Sequence, residues 1–206
     1  MKLINAYNIL KKTNQPYLKT IDVATLLDIN ITHASKILSR LKNAEQITHI
    51  GRGLWVFKDL DPLLLPETLT TPFPTYISLQ SALFFHGMIE QIPEKIYAVS
   101  IARSKQFITP IASVSIHHLQ PDFFFGYENI KNTYVKIATP EKALLDTFYL
   151  SDNKTKLFSS LPELEIPNSF DIKKANQIIK MIKSKRKLSI VREKFLKLLE
   201  NQRGQI

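Results

Sequence analysis

The chain has 206 residues, room for one large domain or two small ones, and its 44% hydrophobic and 22% charged residues exclude a wholly disordered protein. It has no cysteine, which excludes disulfide staples and thiolate metal sites and fits a reducing compartment. The net charge of +10 is uneven: residues 1–58 carry nine Lys/Arg against three Asp/Glu (+6), residues 59–170 eight against twelve (−4), and residues 171–206 eleven against three (+8). Basic ends around an acidic middle favour a polyanionic partner, with a solvated basic surface as the alternative.

The opening MKLINAYNILKK breaks its apolar residues with Asn5, Asn8 and two lysines, so it lacks the apolar stretch of a signal peptide. No apolar run reaches the roughly 18 residues of a membrane span, and the sequence reads as a soluble cytoplasmic protein without membrane contact. Leu3, Ala6, Tyr7 and Leu10 have helical spacing, and Pro16 ends that pattern. A second helix fits Ile21 to Leu27, with Val23, Leu26 and Leu27 as its buried set. The tight connection Asp28-Ile29-Asn30 follows, with Asn30 as the N-cap of a third helix from Ile31 to about Asn43. There Ala34, Ile37, Leu38 and Leu41 recur at i, i+3, i+4 and i+7 and define one buried face. The other face carries Thr32, His33, Ser35, Lys36, Ser39, Arg40 and Lys42, donors and cations without a carboxylate, as a helix in a DNA major groove requires. Two β-rich runs around Gly51-Arg52-Gly53 then read as a hairpin with Arg52 at its tip. That order of elements predicts a winged helix-turn-helix over residues 1–58, with the third helix in the major groove and Arg52 on the backbone or minor groove. A winged helix used for protein contacts is the alternative.

Residues 59–75 contain Pro62, Pro66, Pro72 and Pro74 and read as a stiff, extended linker, with Leu63, Leu64 and Leu65 packed on a domain surface. Beyond it Ser78 is placed to cap a helix that Gly87 stops. Strand-like runs cover 95–102, 113–119 and 134–138. Thr139 and Pro140 start a helix to about Leu150 that buries Ala143, Leu144, Thr147 and Phe148. Residues 171–201 read as basic helices with a break or polar turn at 184–187. The fold class is therefore α+β: the winged helix, the linker, and a larger mixed α/β domain over 76–206 with basic C-terminal helices.

No catalytic constellation stands out, and neither a cofactor nor a metal is expected. There is no GxGxxG and no phosphate-binding loop, and the chain has five glycines in all. His117 and His118 are neighbours on a strand and point to opposite faces. His86 reads as a packed or capping histidine. Glu141 and Asp146, five apart, lie well separated around their helix, and Glu141 complements the helix dipole. The aromatic run 122–127 reads as core or as a contact patch.

Three stretches carry a family resemblance: the N-terminal segment ending in Gly51-Arg52-Gly53-Leu54-Trp55, the segment Tyr76-Ile77-Ser78-Leu79-Gln80-Ser81-Ala82-Leu83 with His86-Gly87, and Ala138-Thr139-Pro140-Glu141-Lys142-Ala143-Leu144-Leu145-Asp146. Together, over roughly residues 1–150, they resemble the AbiEi family of antitoxins from type IV toxin–antitoxin systems of the abortive-infection kind. The third stretch is the most specific; Asp28 stands where a helix-turn-helix often has Gly, and the basic C-terminal helices have no close match. The resemblance implies a non-enzymatic, two-part protein. Its N-terminal domain would repress its own operon by binding inverted repeats in duplex promoter DNA. Its C-terminal domain would neutralise a neighbouring nucleotidyltransferase-like toxin without a stable complex. The other readings are a stand-alone regulator whose second domain senses a ligand or partner, and an enzyme or RNA-binding module built on the basic C-terminal helices.

Overall fold

The computed structural model describes residues 2–131, 133–151 and 163–203 and has a mixed α+β architecture. Of the stretch expected as the larger domain, residues 132, 152–162 and 204–206 lie outside the described residues. The N-terminal part runs α1 (Leu3–Lys11), β1 (Tyr17–Lys19), α2 (Thr20–Leu26), α3 (Ile31–Asn43), β2 (Ile47–Gly51) and β3 (Leu54–Phe57). Its strands form an antiparallel sheet in the order β1-β3-β2. Ala6, Leu10, Val23, Leu38, Leu41 and Trp55 are among the residues of its core. Leu26 was expected in that core and is instead 49% exposed. Val23, Ala24 and the half-buried Leu27 form the inward side of α2, and Leu26 falls off that arc at helical spacing.

Helices α2 and α3 end alike. Asp28 adopts a left-handed φ of 52°; its N–H donates to the Thr25 carbonyl (3.2 Å) and that of Ile29 to the Ala24 carbonyl (3.0 Å). Glu45, at φ 54°, repeats this with Lys42, while Gln46 donates to Leu41. Both are two-bond helix stops that usually hold glycine at the left-handed position. Asp28 thus takes the turn that the sequence assigns to it.

Strand β3 is buried on both faces. Trp55 and Phe57 belong to the N-terminal core, whereas Val56, together with Ile50 of β2, joins the larger core. Residues 59–75, expected to run extended, do not: Pro62–Leu64 form a 3-10 turn and α4 spans Leu65–Thr70. Pro62 and Pro66 sit at the first positions of these turns, where a missing N–H costs nothing, so they start helices rather than break them. Leu65 is fully buried and Leu63 and Leu64 pack against the larger core, so the segment is part of the fold.

The larger part contains β4 (Thr75–Ile77), α5 (Leu79–Phe85), β5 (Ile96–Ser100), β6 (Lys105–Ile108), β7 (Ser113–His118), β8 (Tyr127–Asn129), β9 (Lys136–Ala138), α6 (Pro140–Leu150), α7 (Ile172–Lys180) and α8 (Lys185–Arg203). Six strands form one mixed sheet in the order β6-β7-β5-β4-β9-β8, with β4–β9 and β5–β7 parallel and the other pairs antiparallel. Helix α6 is packed by α5, α7 and α8. Every residue from Glu141 to Leu150 is buried, so α6 is a core helix and not the one-sided helix that burial of Ala143, Leu144, Thr147 and Phe148 alone predicts. The expected break falls at residues 181–184, and Lys185, Arg186 and Lys187 already belong to α8.

Candidate nucleic-acid interface

Helix α3 starts at Asn30, whose side chain accepts the His33 N–H at 2.8 Å. At about 100° per residue, Ala34, Ile37, Leu38 and Leu41 share an arc of about 100°, and all four are buried. Ser35, Ser39, Thr32, Lys36, Arg40 and His33 spread over the opposite arc of about 160°, with Lys42 on its border. All are exposed except Ser35, which is half-buried. Thr32, Ser35, Lys36, Ser39 and Arg40 together line one shallow depression. Asn43, also exposed, falls inside this arc at the last turn and was not among the expected residues; its position on the polar stripe was the available signal.

The charges around this face are arranged to leave it positive. Among the described residues Lys36, Arg40, Lys42 and Arg52 form no ion pair, so their donors are free for a ligand. Of the three acids in residues 1–58, Asp22 lies in the first turn of α2, Asp28 in the turn after it, and Glu45 pairs with Lys58 at 2.7 Å. Hydrogen bonding from Lys58 and its charge hold Glu45 below the usual carboxylate range.

Arg52 does not sit on α3. It is exposed at the tip of the β2–β3 hairpin, beside Gly53 at a left-handed φ of 66°. Thr20, the first residue of α2, fixes that tip. Its N–H and its hydroxyl both donate to the Gly53 carbonyl (3.0 and 3.4 Å), and its oxygen accepts from Trp55 Nε1 (3.1 Å). The hairpin tip is therefore tied to α2, against which α3 packs. Thr20 is a positioning residue that sequence reasoning missed, since its partners lie 33 and 35 residues downstream.

The larger part holds a polar cluster of a different kind. Lys142 and Asp146, one helical turn apart on α6, are ion-paired with both side chains 0% exposed. The Asp146 carboxylate also accepts from the Tyr76 hydroxyl (2.9 Å) and the Ser78 hydroxyl (2.8 Å). The Lys142 ammonium lies 3.9 Å from the Phe123 ring centroid, and Phe125 and Tyr76 present further rings. Burial drives Asp146 up and Lys142 down, each towards neutrality, and their mutual contact opposes both shifts. Burial and the neighbouring Asp146 push Tyr76 well above the normal phenol value, so it stays a donor. Gly126 closes over this pair: a Cβ there would lie 3.0 Å from Lys142 Cγ.

Several expected roles change here. Ser78 was expected to cap α5 and makes no capping bond; its hydroxyl is committed to Asp146. Its neighbour Leu79 is buried at a left-handed φ of 55°, a costly conformation for a branched side chain. His86 is the packed histidine expected, donating from Nε2 to the Ala138 carbonyl at 2.7 Å. Glu141 is more than a dipole complement. Burial raises its pKa, but bonds from Lys174, the Asp171 N–H and Thr139 outweigh it and leave the carboxyl below its ordinary value. His117 contacts Ser115 Oγ (3.0 Å) while His118 donates to the Ala102 carbonyl (3.0 Å), so the two rings have separate surroundings. Among the described residues no three His, Asp or Glu converge as a metal site, and no helix is long and apolar enough to cross a membrane.

Compared with known proteins, the chain matches no family model and no curated protein.

Proposed function

We propose that residues 1–58 form a winged helix-turn-helix that binds duplex DNA, and that the chain is a transcriptional autorepressor and antitoxin of a type IV toxin–antitoxin system. The observation that carries the DNA-binding reading is α3: a cation- and donor-rich arc without a carboxylate, opposite a fully buried arc. Thr32, His33, Ser35, Lys36, Ser39, Arg40 and Lys42 face the groove and its phosphates, and Arg52 on the hairpin reaches the backbone. The antitoxin half rests on the resemblance to AbiEi proteins. Its two most distinctive stretches meet in space, through Ser78–Asp146 and His86–Ala138, as one packed structural unit. In this reading the DNA partner is an inverted repeat in the chain's own promoter. The antagonised protein is a neighbouring nucleotidyltransferase-like toxin, opposed without a stable complex.

Fluorescence anisotropy with a duplex from upstream of the chain's own gene tests the DNA half. Binding that is sequence-selective and weakened by Lys36→Ala or Arg40→Ala is expected; binding indifferent to both changes refutes it. Co-expression with the adjacent gene tests the antitoxin half: rescue of growth supports it, and toxicity unrelieved by the full chain refutes it.

One observation favours a second reading, a regulator that senses a small ligand. A cleft of about 740 Å³ lies between the N-terminal part and the α4 region, with Tyr17, Phe57, Leu64 and Tyr134 among its lining. The Lys11–Asp59 and Lys136–Glu67 pairs, each at 2.5 Å, also border it. Filling it by Leu64→Trp would alter DNA affinity under this reading and leave it unchanged under the first.

A further inference from the structure

The first residue of α3 is apolar and yet turned to solvent. Ile31 is 55% exposed. Among the described residues it belongs to neither hydrophobic core, nor to the half-buried apolar residues packed on them. The apolar anchor that usually steadies a helix entry lies elsewhere: Ile29, the residue before the cap, packs on the core that contains Ala34. The cap itself is Asn30, whose side chain is committed to the His33 N–H. A β-branched side chain also adds little helix propensity. Packing, capping and propensity therefore leave Ile31 without a role in the fold.

We infer that Ile31 determines sequence specificity by packing on the C5-methyl group of a thymine in the bound duplex. Around α3 it lies about 20° from Lys42 and about 40° from Ser35, on the border of the donor-rich arc. Helical side chains tilt towards the N-terminus, so that of the first residue extends past the helix tip, beside the exposed Thr32. The N-terminal residues of a recognition helix are the ones that meet base edges. An isoleucine at that place has no donor or acceptor, so it can neither hold a phosphate nor hydrogen-bond a base. The apolar group that bases present in the major groove is the thymine methyl, and the minor groove presents none. Lys36 and Arg40 bring charge, which attracts any duplex; Ile31 brings none, so its contribution depends on sequence and not on salt. The inference rests on the reading of α3 as the helix in the major groove.

The test is anisotropy of the full chain on a duplex from upstream of its own gene, and on copies in which each thymine in turn is replaced by uracil. Uracil keeps the pairing and the hydrogen-bonding edge of thymine and lacks only the methyl. The variants are Ile31→Ala and the conservative Ile31→Val, both checked for native thermal melts. For the native chain, uracil at the contacted position should lower affinity about three- to five-fold, as expected for one methyl-sized group left unburied. Ile31→Ala should bind the unmodified duplex correspondingly more weakly, cease to distinguish thymine from uracil at that position, and keep the native salt slope. Ile31→Val should retain part of the discrimination. A native chain indifferent to uracil at every position overturns the inference; if Arg40→Ala still weakens binding, the α3 reading stands without it. Discrimination that survives Ile31→Ala assigns the methyl to another residue and overturns the role of Ile31. Discrimination lost in Ile31→Ala, with Arg40→Ala without effect, supports the methyl contact and removes Arg40 from the interface. Binding indifferent to uracil and to Arg40→Ala alike overturns both.

Discussion

Replacing Lys142 by Met keeps the length of the side chain and removes its charge, and it should cost about 3–5 kcal/mol. Both partners of the Lys142–Asp146 pair are 0% exposed, so no water can take over the lost contact. Asp146 would keep two neutral donors, Tyr76 and Ser78, and lose the ammonium bonded to it. Breaking a buried pair from one side typically costs about 3–5 kcal/mol, against a total domain stability of roughly 5–15 kcal/mol. Asp146→Asn strands Lys142 among the rings of Phe123, Phe125 and Tyr76 and should cost a similar amount. Combining the two changes leaves no uncompensated charge, so the double variant should be clearly more stable than the sum of the singles implies, with a coupling of about 2 kcal/mol or more. Urea unfolding followed by far-UV circular dichroism at neutral pH measures all three variants, provided the denaturant slope stays constant. A cost under about 1 kcal/mol for Lys142→Met, or additive single effects, would refute the reasoning.

Other outcomes follow from the same structure. Lys36→Ala and Arg40→Ala should each relax sequence preference, by about 1–3 kcal/mol where the residue reads a base; equal losses on promoter and scrambled duplexes in the anisotropy assay would make them phosphate contacts. Thr20→Val keeps the backbone bond to Gly53 but removes both bonds of the hydroxyl, so it should loosen the hairpin tip, weaken DNA binding without removing a cation, and change the fluorescence of Trp55, the chain's one tryptophan; unchanged emission and affinity would release the Thr20 hydroxyl from that role. Asp28→Gly relieves a left-handed aspartate and should stabilise the chain by up to about 1 kcal/mol in thermal melts, whereas destabilisation would refute the assigned turn. Burial pushes His117 down to about 4, so the unfolded chain takes up its proton first. Its contribution is present above pH 6.5 and fades as the pH falls towards 4, by up to about 3 kcal/mol, and His117→Gln should flatten that window. Glu141 acts lower: its folded pKa lies below 4.5, so its contribution is lost only as the pH falls below that value.

What the sequence reveals is what helices encode locally. The two arcs of α3, the caps at Asn30 and Thr139, the left-handed turn at Asp28 and the stop at Gly87 each depend on residues within a few positions. Strands β1, β4, β6 and β8 are three or four residues long, too short to show alternation, and they exist because neighbouring strands pair with them. Proline is ambiguous in the same way: Pro62 and Pro66 begin helical turns, which only the packing of Leu65 beneath them reveals. The buried cluster lies furthest beyond local reading. Lys142 and Asp146 look like an ordinary surface pair at helical spacing until Tyr76 and Ser78, 70 and 68 residues from Asp146, close on them. Of the residues proposed to face DNA, those on α3 were legible, while the bonds from Thr20 that hold Arg52's hairpin were not.

The most direct measurement is a footprint on the DNA upstream of the chain's own gene, with the native chain and with a Lys36→Ala/Arg40→Ala variant of equal stability. Protection of an inverted repeat by the native chain, lost in the variant, is the expected result. Absence of protection by the folded native chain, or protection that survives both substitutions, would contradict α3 as the DNA-reading helix.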